Sequence, residues 1–315
     1  MSQSCKPKQV ASPYSTGGGG SNFEDYVGAY YLAMMLLRAA PLGQSTAAIA
    51  QEIQFQFLYR GEPVDDLKVL SRLPQGETKL TLQIKHDLTF GEQGDTFDEV
   101  LYACWETFTA SSFVLGFDRF GIALGLSKPS HKHYKDTLTW ARTSTNGTDF
   151  LLRIAHQGPG HQIQRQLVAL IRKKLDTYAC RNIDDDELRN FLRSMELLHF
   201  DFQQDGSHDQ ERTIELLRHA LSPEYQTEAA HLFQQLVAYA AEANRTVGSL
   251  SCGTLTERLI TDSFPLLPPP DCRRDLDRLQ ENAKPILPKT PREGNMQYLL
   301  VLPVSPMPFF CVSRR

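Results

Sequence analysis

Residues 23–39, FEDYVGAYYLAMMLLRA, are apolar almost all the way round a helix. A helix of that kind has no face to give to water, so the fold must bury it. Asn22 is placed to cap it, with Glu24 and Asp25 in a first turn where carboxylates complement the helix dipole. The pattern then changes from helical spacing to alternation. IQFQFLY (53–59) reads as a strand, RGEP as a turn, VDDLKVLSR (64–72) as a second strand and KLTLQIKHDL (79–88) as a third. Together they predict an antiparallel meander.

TFDEVLYACWETFTA (96–110) returns to helical spacing and puts Phe97, Val100, Leu101, Cys104, Trp105 and Phe108 on one stripe. DRFGIALGLS (118–127) predicts another strand, and HKHYKDTLTWART (131–143) a helix after a proline turn. Helix, three strands, helix and strand is the order of an α/β layered domain, set at residues 22–160. From His161 the chain reads as helices: HQIQRQLVALIRKKLDTY, DDDELRNFLRSMELLHF, QERTIELLRHAL and EAAHLFQQLVAYAAEAN. This α-helical connector region runs over 161–283 and is broken by the proline-rich FPLLPPPD at 264–271. Residues 1–21 hold few large apolar groups and end in glycines, so they read as a flexible leader. Residues 284–315 drop the helical pattern and read as an irregular tail.

With 315 residues and 41% hydrophobic content the chain can build a core of its own. Its net charge of -4 provides no global attraction to nucleic acid, so polyanion binding needs a local basic surface. Six cysteines without a CxxC pair, and no apolar signal segment, predict a reduced, cytoplasmic protein without a zinc site. The apolar stretch YLLVLPVSPMPFFCV is too short, and too interrupted by proline, to predict a membrane helix.

Alternation in KLTLQIKHDL sends Leu80, Leu82 and Ile84 to one face and Gln83 and Lys85 to the other. Hydrolysis of a phosphodiester needs a metal against the phosphate charge, a polarised water, and a cation for the transition state. Lys85 supplies the cation and Gln83 a neutral oxygen near the metal. Asp66, on the same strand face as Lys68, is the carboxylate best placed for magnesium, with Asp65 in reserve and Glu24 as a third oxygen donor.

A helix-borne Glu24, Asp66 at the start of one strand and Gln83-Ile84-Lys85 on the next resemble the PD-(D/E)XK restriction-endonuclease superfamily, in the Q-x-K variant also used by Mrr-like enzymes. GGGGSNFEDYVGAYYLAMMLL, FQFLYRGEPVDDLKV, LTLQIKHDL and FDEVLYACWETF are similar to the double-stranded DNA endonuclease domain of the fourth CBASS-associated effector protein. The same domain stands at the N-terminus of STAND-type defence NTPases. DDDELRNFLRSMELLHFDF and GTLTERLITDSFPLL resemble the helical segment joining that nuclease to an NTPase, so the resemblance covers residues 17–283.

The resemblance implies a restriction-endonuclease-like mixed sheet flanked by helices, followed by an α-helical connector. It implies Mg2+- or Mn2+-dependent cleavage of double-stranded DNA in antiphage immunity. Asp66, Gln83, Lys85 and Glu24 are then catalytic, with Asp66, Gln83 and Glu24 on the metal. It implies partners as well: self-association, or a regulatory sensor or NTPase, because family members carry a cyclic-nucleotide-sensing domain or an NTPase downstream. No G-x-x-x-x-G-K-[ST] loop occurs in the chain. The expectation is therefore a truncated or frame-shifted member, or one regulated by a separate polypeptide.

Plainer readings stand beside these. An isolated Q-x-K is an ordinary solvated strand face, Asp65 and Asp66 suit a turn, and Glu24 suits a helix N-terminus. His131 and His133 read as surface histidines beside a proline turn, and Asp184 to Glu187 as the N-terminus of a helix. Glycines 17–20 precede an acidic turn that would repel phosphate, so they read as linker. Lys128, Lys132, Lys135, Arg142, Arg153, Arg172, Lys173 and Lys174 could supply a basic surface, or only a wet helix face. A non-catalytic partner-binding module and a nuclease for RNA or single strands are the competing functions.

Overall fold

The structure, a computed structural model, describes residues 20–56, 63–64, 66–91, 95–156, 162–202 and 206–267. Asp65, residues 1–19, the run from 268 and the tail 284–315 lie outside the described residues. Helix α1 (Gly20–Leu36) leads into strands β1 (Ile49–Phe55), β2 (Leu67–Leu73) and β3 (Gly76–Lys85). Helix α2 (Asp95–Thr109), strand β4 (Arg119–Leu124) and helices α3 (Pro129–Thr143), α4 (Gly147–His156), α5 (Gln162–Ala179) and α6 (Asp185–Ser194) follow. Strand β5 (Met195–His199), helices α7 (His208–Leu217) and α8 (Ala229–Thr246), strand β6 (Ser249–Ser251) and helix α9 (Cys252–Thr261) complete the order.

The six strands form one mixed sheet in the order β5-β4-β3-β2-β1-β6. The predicted meander is present: β1 pairs β2 and β2 pairs β3, both antiparallel. Strand β4 joins β3 in parallel, and β5 joins β4 in parallel. Helices cover both faces because the strands alternate. Leu80, Leu82 and Ile84 enter one core with Val27 and Met35 of α1 and Phe233 and Leu236 of α8. Phe120, Ile122 and Leu124 enter the other with Trp105, Tyr134, Ile171 and Phe191. The apolar helix α1 is buried as its sequence requires, with Val27, Leu32 and Met35 fully covered. A Cβ at Gly28 would lie 2.7 Å from Phe55 Cε1 and 3.0 Å from Ala240 Cβ, so glycine lets α1 settle against β1 and α8 together.

Three local expectations change. Helix α1 already starts at Gly20, so Glu24 and Asp25 lie beyond its first turn and do not serve as dipole partners. SMELLHF, expected within a helix, contains β5, because α6 stops where Met195 turns extended and pairs with Phe120. The chain past residue 160 is thus not only helical: it supplies β5 and β6, one at each edge of the sheet. No described helix is long and apolar enough to cross a membrane.

Candidate functional site

The β2/β3 register pairs Leu67 with Leu82, which brings Asp66, one residue earlier, opposite Gln83. Asp66 is 3% exposed. Its Oδ2 accepts from the Gln83 side-chain amide at 2.6 Å and from the Ile84 backbone N–H at 2.6 Å. Lys85 Nζ stands 3.7 Å from the same oxygen, its side chain 21% exposed. Asp66, Gln83 and Lys85 are therefore brought together as the strand alternation predicts. Burial pushes the Asp66 carboxyl above the usual carboxylate range, against the opposing pull of Lys85 and the two N–H donors. The site holds a buried acid whose charged form burial disfavours, beside a cation that reaches water.

Glu24 is also buried, at 4% exposure. It is linked to Asp66 through Gln56, which the sequence reading did not single out. The Gln56 side-chain amide donates to Glu24 Oε2 at 3.4 Å, and its backbone N–H donates to the Asp66 carbonyl at 3.2 Å. Gln56 adopts φ 54°, a left-handed conformation uncommon outside glycine, as β1 ends. The only trace of this in the sequence is a polar residue at the close of an alternating run.

Among the described residues no three His, Cys, Asp or Glu side chains form a metal-holding group. The donor chemistry nevertheless suits a hard cation, since magnesium takes one or two carboxylates with waters and substrate phosphate. Asp66 and Glu24 are buried carboxylates. Gln83 meets Asp66 through its amide nitrogen, so its oxygen is the atom it can present to a cation. Thiolate and imidazole, the ligands zinc favours, are not among these groups.

A second polar centre lies on the same sheet face, where Lys85 neighbours Leu124 and Leu124 neighbours His199 in register. His131 is 1% exposed, not a surface histidine. Its Nε2 meets the Leu88 carbonyl at 3.2 Å and so carries the hydrogen. Its Nδ1 accepts from the Lys128 N–H at 3.1 Å and from His199 Nε2 at 2.9 Å. Burial lowers the pKa of both rings, that of His199 to about 4. His133 is half-buried and bonds Gln164 at 2.9 Å.

Most of the expected basic surface is engaged internally. Lys128 pairs with Asp87 at 2.5 Å, Arg172 with Asp185 at 2.5 Å, Arg142 with Glu196 at 2.9 Å, and Lys174 with Asp98. Arg153 donates to Thr143 at 2.6 Å. The acidic run is a helix start: Asp184 caps α6 by accepting from the Glu187 N–H at 2.7 Å.

No family model matches the chain, and no curated protein matches it. Solved structures do resemble it. A Moraxella osloensis Cap4 SAVED/CARF-domain containing receptor is 15% identical with a TM-score of 0.42, covering 74% of this chain and 44% of that one. The Acinetobacter baumannii Cap4 SAVED/CARF-domain containing receptor is 11% identical with a TM-score of 0.44, covering 78% and 48%. The same receptor with the cyclic trinucleotide 3'3'3'-cAAA is 9% identical with a TM-score of 0.44, covering 76% and 44%. The chain spans under half the length of these structures, and likeness of this degree carries no argument about activity.

Proposed function

We propose that the chain is a metal-dependent endonuclease whose reacting centre is Asp66, Gln83 and Lys85, and that its substrate is double-stranded DNA. One observation carries the reading. A buried carboxylate oxygen accepts from the Gln83 amide and the Ile84 N–H while the Lys85 ammonium stands 3.7 Å from it.

Asp66 and Glu24 would hold Mg2+ or Mn2+, with the amide oxygen of Gln83 beside them. When bound, the metal lowers the pKa of water and offsets phosphate charge. Gln83 and Ile84 fix the rotamer of Asp66, so its carboxylate is oriented before substrate arrives. Lys85, partly open to solvent, orients the attacking water and stabilises the charge that develops on the phosphoryl oxygens. Gln56 keeps Glu24 aligned with the start of β2. The choice of duplex DNA, the antiphage role and a regulatory sensor or NTPase partner rest on the sequence resemblance, not on this geometry.

The test is purified protein with supercoiled plasmid in Mg2+, in EDTA, and as Lys85→Ala. Nicking is expected in Mg2+ alone and lost in the variant. Nicking that persists unchanged in Lys85→Ala sinks the assignment, and cleavage confined to RNA or single strands overturns the substrate.

A further inference from the structure

A cavity of about 290 Å3 lies between α3 and the edge strand β5, lined among others by Lys135, Arg142, Glu196 and His199. It shares no residue with the Asp66 centre. Lys135 and Arg142 stand two turns apart on α3, so both reach one side of it. Glu196 is the carboxylate on its wall, and it is already held, 2.9 Å from Arg142 Nη2 and 3.8 Å from Arg119 Nε. Asp118, the other carboxylate acting on Arg119, is held 3.6 Å from Lys79 Nζ and accepts from the N–H groups of Lys79 and Val114. Among the described residues Lys135 has no ion-pair partner, and it is exposed. The lining thus carries Lys135 and Arg142 against the single carboxylate of Glu196, which Arg119 also pairs with from outside the lining.

One N–H donor beside this cluster is also unsatisfied. Arg119 Nη1, on the guanidinium that pairs with Glu196, is buried without a hydrogen-bond partner. Buried polar atoms in folded proteins are nearly always paired, and an exception calls for a missing group. An arrangement of guanidinium and ammonium groups in surplus selects a tetrahedral oxyanion, which takes several N–H donors at once. We infer that the cavity between α3 and β5 is a binding site for a phosphate-type oxyanion, separate from the Asp66 centre. Two sources offer that chemistry: a backbone phosphate of nucleic acid, or free phosphate and small phosphate esters.

Isothermal titration of the full chain with sodium sulfate and sodium phosphate, at ionic strength held constant with chloride, tests the site. Saturable binding is expected in the wild type and in Asp66→Asn alike. Lys135→Ala is expected to weaken it about tenfold, the scale of one lost charge-assisted bond. Lys135 is exposed and unpaired, so that variant keeps the fold. Lack of saturable heat, or equal affinity in Lys135→Ala, overturns the proposal. Sulfate that displaces a labelled duplex from the wild type more than from Lys135→Ala identifies a backbone phosphate as the source. Equal displacement in both identifies free phosphate or a small ester.

Discussion

Two buried polar centres share one face of the sheet, and they handle charge in opposite ways. At the first, Asp66 sets a carboxyl group against Lys85 in a place where burial disfavours its charged form. At the second, His131 and His199 bond each other as neutral rings, and burial holds them so. Neutral imidazoles that satisfy Leu88 and Lys128 tie α3 and β5 to the chain leaving β3. That is a structural pin. An acid set against a cation makes a poorer pin, since ion pairs in the interior are weak sources of stability. The contrast teaches that burial alone does not separate the two centres; the acid set beside a cation distinguishes the first.

The sharpest way to break this contrast is Asp66→Asn. Mg2+-dependent cleavage is expected to fall roughly thousandfold or more, the scale of several kcal/mol of lost metal-borne stabilisation. Stability at pH 7.5 in urea should stay within about 1 kcal/mol of the wild type, because the raised carboxyl pKa makes ionised Asp66 a burden to the fold. A large loss of stability would make Asp66 structural. His131→Ala should do the reverse. It should cost about 2–3 kcal/mol by stranding buried partners and opening a void, while the rate per folded molecule stays within about twofold.

The pH dependence separates the centres next. The folded pKa of His199 lies below the ordinary 6.5 of an imidazole, at about 4, so its contribution is complete above pH 6.5 and lost as pH falls towards 4. Asp66 and Asp25 run the other way. Their folded pKa values are raised, that of Asp25 from 3.8 to about 6, so their penalty is relieved as pH falls through the folded value. Urea melts between pH 7 and pH 4 should show a shallower acid loss for His199→Phe, by up to about 1.4 kcal/mol per pH unit. An unchanged slope would show that His199 is not held neutral by the fold. The smallest effect is expected from Gly28→Ala. The tight approach to Phe55 and Ala240 predicts a loss of about 1–2 kcal/mol in the same melts.

What the sequence disclosed was what alternation can carry. Leu80, Leu82 and Ile84 fixed which face of β3 meets α1 and α8, and the same count put Gln83 and Lys85 with Asp66. Strand β5 was hidden because MELLH continues the helical spacing of LRNFLRS. It becomes a strand through pairing with β4, where a Cβ at Gly121 would meet the Glu196 carbonyl at 2.3 Å. That pairing links residues far apart in the chain, and no local pattern reports it. Gln56 was missed, and His131 was read as a surface residue, for the same reason, since their partners Glu24, Leu88 and His199 come from other elements.

Metal binding is read without substrate and without turnover. The most direct measurement is therefore calorimetric titration of Mn2+, standing in for Mg2+, into the wild type and Asp66→Asn at pH 7.5. One saturable site in the wild type that disappears in Asp66→Asn is the expected result. Equal binding in both proteins, or none in the wild type, would contradict a metal site built on Asp66.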